Sequence, residues 1–293
     1  MYPSPRALLA KYGLRAKKSW GQNFLGDESI LDDIARLAVP APGERVVELG
    51  AGLGHLTVRL LALGAEVVAV ERDRDMARVL RGELAGRITL LEADAARLDY
   101  AALAAAPAPS PRHPAAPGEG GGPPARIAVV GNLPYHLTSP ILFSLLDQAD
   151  AVSRAVLLLQ LEVAERLAAA PGSRDHGILS ILLQQRARVT VERTVPPGAF
   201  HPPPRVRSAV TLVAFGPPRA EVRDPDRFRR LVKAGFSKRR KTLANALRSS
   251  RLAPPEALER ALATAAIDPG RRAETLSVEE WASLERALAI ASA

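Results

Sequence analysis

Short apolar runs alternate, over the first two thirds of the chain, with segments whose apolar residues recur every three or four positions. The runs at 45–50, 66–70, 88–91, 127–130 and 155–159 read as strands buried on both faces. Between them the helical period dominates. Asp27 can cap a helix in which Ile30, Leu31, Ile34 and Leu37 share a face, Asp73 opens another through Leu84, and Ser139 and Pro140 start a third through Leu146. Strands alternating with helices predict an α/β fold with a largely parallel sheet. Residues 162–170 and 178–185 add helices, and 188–195 and 208–215 have strand character. From Pro217 the period is purely helical, at 225–235, 238–248, 254–265 and 278–290. The shift places a domain boundary near Gly216. Expected units are an irregular arm over 1–26, an α/β domain over 27–215, and a small all-helical domain over 216–293. Within the second, the Ala-, Pro- and Gly-rich stretch 104–124 reads as a flexible surface insertion.

Composition narrows the function classes. The chain has no cysteine, which excludes disulfides, thiolate metal sites and cysteine nucleophiles. The five histidines (55, 113, 136, 176 and 201) show no metal-ligand spacing, so no metal is expected. No apolar run approaches the ~18 residues of a membrane span, so neither membrane nor secretion is expected and the protein is placed in the cytoplasm.

The formal charge of +9 is regional. From Pro196 to the end there are 18 Lys and Arg against 10 Asp and Glu, whereas the first 195 residues carry 22 against 21. Residues 1–26 hold five bases and no acid. Phosphodiester polymers attract such surfaces, and Lys238, Arg239, Arg240 and Lys241, expected at a helix start, are read as phosphate contacts rather than as a merely solvated face.

Two motifs carry chemistry. Glu48-x-Gly50-x-Gly52-x-Gly54 follows a strand but has His55 where a dinucleotide fingerprint needs glycine. With Glu71 placed for ribose hydroxyls and Asp94 for an adenine amino group, it describes an adenosine cradle without a pyrophosphate grip, which suits S-adenosylmethionine. Asn132-Leu133-Pro134-Tyr135 closes the fourth strand. The Asn132 carboxamide and the Leu133 carbonyl, fixed outward by Pro134, can accept both protons of an exocyclic amine while Tyr135 stacks on its base. Alone the tetrapeptide reads more readily as a strand-ending turn than as a site. Together the motifs predict a Rossmann-like class I S-adenosylmethionine-dependent methyltransferase acting on a base amino group. Trp20, Trp281 and Phe228 are expected in the core or between domains.

The chain resembles the bacterial 16S rRNA adenine-N6 dimethyltransferases of the KsgA/RsmA type from Gly21 to about Leu247. Gly21-Gln22-Asn23-Phe24-Leu25, the glycine motif, Asn132 to Tyr135, Val163-Ala164-Glu165-Arg166-Leu167, the segment from Val195-Pro196-Pro197 to Ser208, and Arg239-Arg240-Lys241-Thr242-Leu243 carry the likeness. It departs at His136, Leu161, His176 and the insertion. The resemblance implies dimethylation of two adjacent adenines in the 3′-terminal hairpin of 16S rRNA, on a 30S or pre-30S particle, by a monomer. It also implies cofactor contacts at Asn23, Leu25, Gly50, Glu71, Asp94 and Asn132, with Gly52 beside them, and an arm folded over the cofactor. Phe200 is read as sandwiching the target adenine with Tyr135, a core phenylalanine being the alternative. Two other functions stay open: a 23S rRNA adenine methyltransferase of the macrolide-resistance type, and a 30S assembly factor acting mainly by binding.

Overall fold

The computed structural model describes residues 2–17, 20–106, 126–238 and 240–291. Its elements are, in order, α1 (Pro5–Lys11), β1 (Phe24–Leu25), α2 (Glu28–Ala38), β2 (Arg45–Leu49), α3 (His55–Ala62), β3 (Glu66–Val70), α4 (Arg74–Leu84), β4 (Thr89–Leu91), α5 (Tyr100–Ala105), β5 (Ile127–Asn132), α6 (Thr138–Asp147), β6 (Val152–Gln160), α7 (Leu161–Ala168), α8 (Ile178–Gln184), β7 (Ala187–Val195), β8 (Phe200–His201), β9 (Ser208–Phe215), α9 (Pro225–Gly235), α10 (Leu243–Ser250), α11 (Pro255–Thr264) and α12 (Val278–Ala291).

Seven strands form one sheet in the order β4-β3-β2-β5-β6-β9-β7. From β4 to β6 the neighbours run parallel, and β9 returns antiparallel against β6. The Val-rich strands β2, β3 and β5 are buried on both faces, as a parallel sheet covered by helices requires. The chain leaves β2 toward β3 and β4 on one side, then comes back to lay β5 on the other. The crevice between the carboxyl ends of β2 and β5 is therefore the sheet's topological switch point, where open α/β sheets bind ligands.

Compact packing divides the chain into two units. The first comprises Met1–Ala164 and Thr190–Phe215, and the second Glu165–Val189 and Gly216–Ala293. In the second, Trp281 is fully buried and stacks on Phe236, ring centroids 6.2 Å apart, and Phe228, Leu243 and Leu247 are buried in the same unit. Trp281 and Phe228 are thus core residues, as expected. His176 is buried in the same unit, its Nδ1 2.9 Å from the Ala169 carbonyl.

The arm over 1–26 is not irregular throughout. Ser4 accepts from the Ala7 N–H at 3.3 Å and Pro5 occupies the first turn of α1. Leu8 and Leu9 of that helix are buried in a cluster with Phe24, Leu53, Met76 and Val79, so tertiary packing stabilises a helix too short to persist alone. The Lys238–Lys241 cluster does not start a helix either. Thr242 caps α10, and Lys238, Arg240 and Lys241 are exposed in the preceding turn, Lys241 N–H donating to the Lys238 carbonyl at 3.0 Å. Cations on the positive end of a helix dipole would be unfavourable, and Lys238, Arg240 and Lys241 stand outside it. Arg239, the 107–124 part of the insertion and the His136 side chain lie outside the described residues. Among the described residues no helix is long and apolar enough to cross a membrane, and no His, Asp and Glu group converges to hold a metal.

Candidate functional site

Two cavities open at the switch point. The smaller, about 120 Å³, is lined by the Asn23–Leu25 strand, Glu48, the 50–53 turn, Glu71, Asn132–Tyr135 and Phe200. The second, about 330 Å³, is lined by Leu49, Arg72, Asp94, Leu137 and Ile141 among others. They share Trp20, Gly50, Glu71, Leu133 and Pro134 as a common wall. Every residue expected at the cofactor and the target base thus meets in one cleft, Asp94 through the second cavity and the rest through the first. Lys238, Arg240 and Lys241 belong to the other compact unit.

The glycine turn is built on left-handed backbone, φ +68° at Gly50 and +56° at Gly52, which only glycine adopts without strain. It is locked to the neighbouring strand end. Gly52 N–H donates to Glu71 Oε2 and Asp73 N–H to Glu71 Oε1, each at 2.8 Å. Burial pushes the Glu71 carboxyl up from its ordinary range, and these two N–H groups oppose it. Glu48 is more extreme: it is 2% exposed, and burial pushes it up to about 8, with the charge of Glu71 adding and the Thr57 hydroxyl, donating at 2.6 Å, opposing. Asp94 accepts from Ala96 N–H at 3.0 Å, with Arg72 Nη1 3.5 Å from its other oxygen.

At the tip of β5, Asn132 Nδ2 donates to the Asn23 backbone carbonyl at 2.8 Å. This contact assigns the amide, since a flipped carboxamide would set oxygen against oxygen. Oδ1 is left to serve the cavity that Asn132 lines. Gly131 beside it has no room for a side chain, because a Cβ would come within 2.7 Å of the Leu49 carbonyl. Tyr135 Oη lies 3.2 Å from Ser208 Oγ, which ties the aromatic ring to the start of β9. Leu25 pairs with Phe200 in the short β1–β8 ribbon, and Phe200 is 6% exposed with its ring in the core cluster below the cavity. It packs in the core, as one alternative expected, and it also lines the cavity.

Sequence reasoning missed Trp20. It is 40% exposed rather than buried, and it lines both cavities. Its signal was its place directly before Gly21-Gln22-Asn23, in a segment held over the cleft.

The lining tests what the cleft can hold. Among the described residues no lysine or arginine lines the first cavity, while Glu48 and Glu71 do. A pyrophosphate there would meet two carboxyls and no cation, whereas the sulfonium and ammonium of S-adenosylmethionine meet acceptors. Asp94 in the second cavity offers an acceptor of the kind an adenine amino group needs. The residues present fit that cofactor.

Known proteins agree with this chemistry. The family model described as "Ribosomal RNA adenine dimethylase" matches residues 13–289. The chain is 72% identical over 287 residues to the ribosomal RNA small subunit methyltransferase A of Anaeromyxobacter dehalogenans (strain 2CP-C), covering 98% of each. It is 51% identical to the protein of that name from Myxococcus xanthus, covering 97% of this chain and 95% of the relative. Among solved structures, the 23S rRNA methyltransferase ErmE superposes with a TM-score of 0.65 at 26% identity, covering 91% of this chain and all of that one. A dimethyladenosine transferase from Plasmodium falciparum shares the fold, with a TM-score of 0.68 at 23% identity over 89% of this chain and 95% of its own.

Proposed function

The chain belongs to the ribosomal RNA adenine dimethylase family, and on that premise we propose how its cleft performs S-adenosylmethionine-dependent dimethylation of rRNA adenines, and where. The cofactor, when bound, supplies a methyl group activated on a sulfonium. Everything else falls to the chain. Asn132 Oδ1 and the Leu133 carbonyl accept from the target amino group, two N–H bonds before the first transfer and the one that remains before the second, which draws its lone pair out of conjugation and aims it along the transfer axis. The target nitrogen, once it carries the new methyl group, would be acidic enough to shed its proton to solvent, so the chain need supply no strong base. Tyr135, tethered to Ser208, stacks on the extruded base with Phe200 beneath it. Asn23, Leu25, Gly50, Gly52, Glu71 and Asp94 hold the cofactor. The one observation that carries this reading is the Asn132–Asn23 hydrogen bond, which presents an oriented acceptor at the switch point of the sheet.

For the substrate we read two adjacent adenines in the 3′-terminal hairpin of 16S rRNA, within a 30S or pre-30S particle in the cytoplasm. The name borne by relatives up to 72% identical supports the small subunit over the 23S alternative, whose structural representative shares 26%. The exposed turn at Lys238, Arg240 and Lys241, with Arg239 between them, serves as phosphate contacts. The first 26 residues act as the arm over the cofactor, and the helical unit as the RNA-binding part. Methyl transfer to isolated 30S particles from a strain lacking the gene, followed by mass spectrometry of the rRNA, tests this. Dimethyladenosine at two neighbouring 16S positions is expected; transfer to naked 23S rRNA and none to 30S would overturn it. An Asn132→Ala protein that binds 30S and supports normal growth would move the main role to assembly.

A further inference from the structure

The loop from Lys17 to Trp20 and Gln22 is fastened at both ends to one buried acid. Lys17 Nζ sits 2.6 Å from Asp73 Oδ1 and 2.7 Å from Asp75 Oδ2, and Gln22 Nε2 donates to Asp73 Oδ2 at 2.7 Å. Gln22 Oε1 accepts from the Lys17 N–H at 2.9 Å, and Trp20 N–H donates to the Lys17 carbonyl at 3.0 Å, so Trp20 and Gln22 are each bonded back to Lys17. Asp73 is 2% exposed and caps α4, which makes the anchor part of the sheet's own scaffold.

What this fastening holds out is an indole. Lys17 Nζ lies 5.4 Å from its ring centroid and the Arg72 guanidinium carbon 5.7 Å, two cations within reach of the ring's negative potential. Arg72 is in turn 3.5 Å from Asp94. A lone exposed aromatic needs no explanation. This one is held by its backbone bond to Lys17 and by two cations, remains 40% exposed, and lines both cavities at their shared wall. With Gly50, Glu71, Leu133 and Pro134 it forms the wall common to the cavity that Asp94 lines and the one that Asn132 lines.

We propose that Trp20 is a cofactor-binding residue, its indole covering the adenosine of S-adenosylmethionine where the two cavities join. The assignment rests on the reading of this cleft as the cofactor's. It gives the positively charged arm a chemical role, which is to bring an aromatic face onto a nucleoside by a loop whose geometry Lys17 and Gln22 impose. Stacking on a base by an aromatic residue is tolerant of ring type, so phenylalanine should serve and alanine should not.

The test uses the full chain and S-adenosylhomocysteine as the probe. By calorimetry, Trp20→Ala should raise its Kd about tenfold or more, and Trp20→Phe should stay within about threefold of wild type. Fluorescence supplies an independent readout, since the chain has two tryptophans and Trp281 is fully buried. The probe should change the emission of the wild type and leave Trp20→Phe unchanged. Wild-type affinity in Trp20→Ala, with wild-type binding intact, would overturn the Trp20 assignment alone, as would a full emission change in Trp20→Phe. Absence of binding by the wild type would overturn the cofactor reading and this assignment with it.

Discussion

Asn132 and Asn23 are 109 positions apart and joined by one hydrogen bond, from the Asn132 carboxamide nitrogen to the Asn23 carbonyl at 2.8 Å. The bond makes the arm's conformation a condition of the acceptor's orientation. Asn132→Asp keeps the shape but replaces the donor with a carboxylate oxygen facing a carbonyl. Single-turnover methyl transfer should fall by about a hundredfold or more, the scale of losing one preorganised polar group at a reacting centre. A loss under threefold would show that orientation through Asn23 is not required.

Tyr135 and Ser208 give a second pairing whose parts can be separated. The ring supplies stacking and the Oη–Oγ contact, 3.2 Å, supplies its angle. Tyr135→Ala should lower kcat/KM by about 10- to 150-fold, the equivalent of ~1–3 kcal/mol of stacking. Tyr135→Phe and Ser208→Ala should each cost only about three- to tenfold, the value of one neutral hydrogen bond, and the double variant no more than either alone. Additive losses would mean that the hydroxyls act separately.

Much of this arrangement was legible in the chain. The Val-rich runs ending at Leu49, Val70 and the β5 tip are long enough, and apolar enough on both faces, to specify buried parallel strands, and Asp27 and Asp73 cap their helices as their positions imply. What escaped depends on distant partners. Helix α1 exists because Leu8 and Leu9 find Phe24, Leu53 and Met76, and the β1–β8 ribbon because Leu25 meets Phe200 across 175 positions of chain. No local period encodes either. Trp20 is similar: its composition suggests burial, and only the two ends of its loop, both tied to Asp73, keep it exposed. Helix α8 precedes β7 in sequence yet packs with the helices after Gly216, and a change in composition along the chain cannot reveal a unit assembled from two segments.

The turn before α10 predicts a salt effect. Lys238, Arg240 and Lys241 are exposed and make no ion pair among the described residues, so their charges are available to phosphate. Replacing the three with alanine should weaken 30S binding at every salt concentration and reduce the slope of log K against log salt by about two to three, since each phosphate a cation neutralises releases about one counterion. Filter binding between 50 and 200 mM salt, conditions of ~10³–10⁵ leverage for a fully engaged set of contacts, reads this directly. An unchanged slope would remove the turn from the interface.

Glu48 predicts a pH dependence that belongs to folding rather than to turnover. Burial pushes its carboxyl up to about 8, with the charge of Glu71 adding and the hydrogen bond from the Thr57 hydroxyl opposing. The folded chain therefore binds this proton more tightly than the unfolded chain does. The stability that it confers is fully present below the unfolded value near 4.5 and is lost as pH rises through about 8. Glu48→Gln keeps an oxygen for Thr57 and removes the titration. In urea unfolding of the cofactor-free protein, the variant should exceed wild type at pH 9 by a few kcal/mol, and the gap should close by pH 5. Glu71, also pushed up by burial, is present in both proteins, so the difference contains the Glu48 titration together with its coupling to the Glu71 charge. A gap of constant size from pH 5 to 9 would mean that Glu48 keeps the same proton affinity folded and unfolded, and that its burial is relieved by contacts other than Thr57.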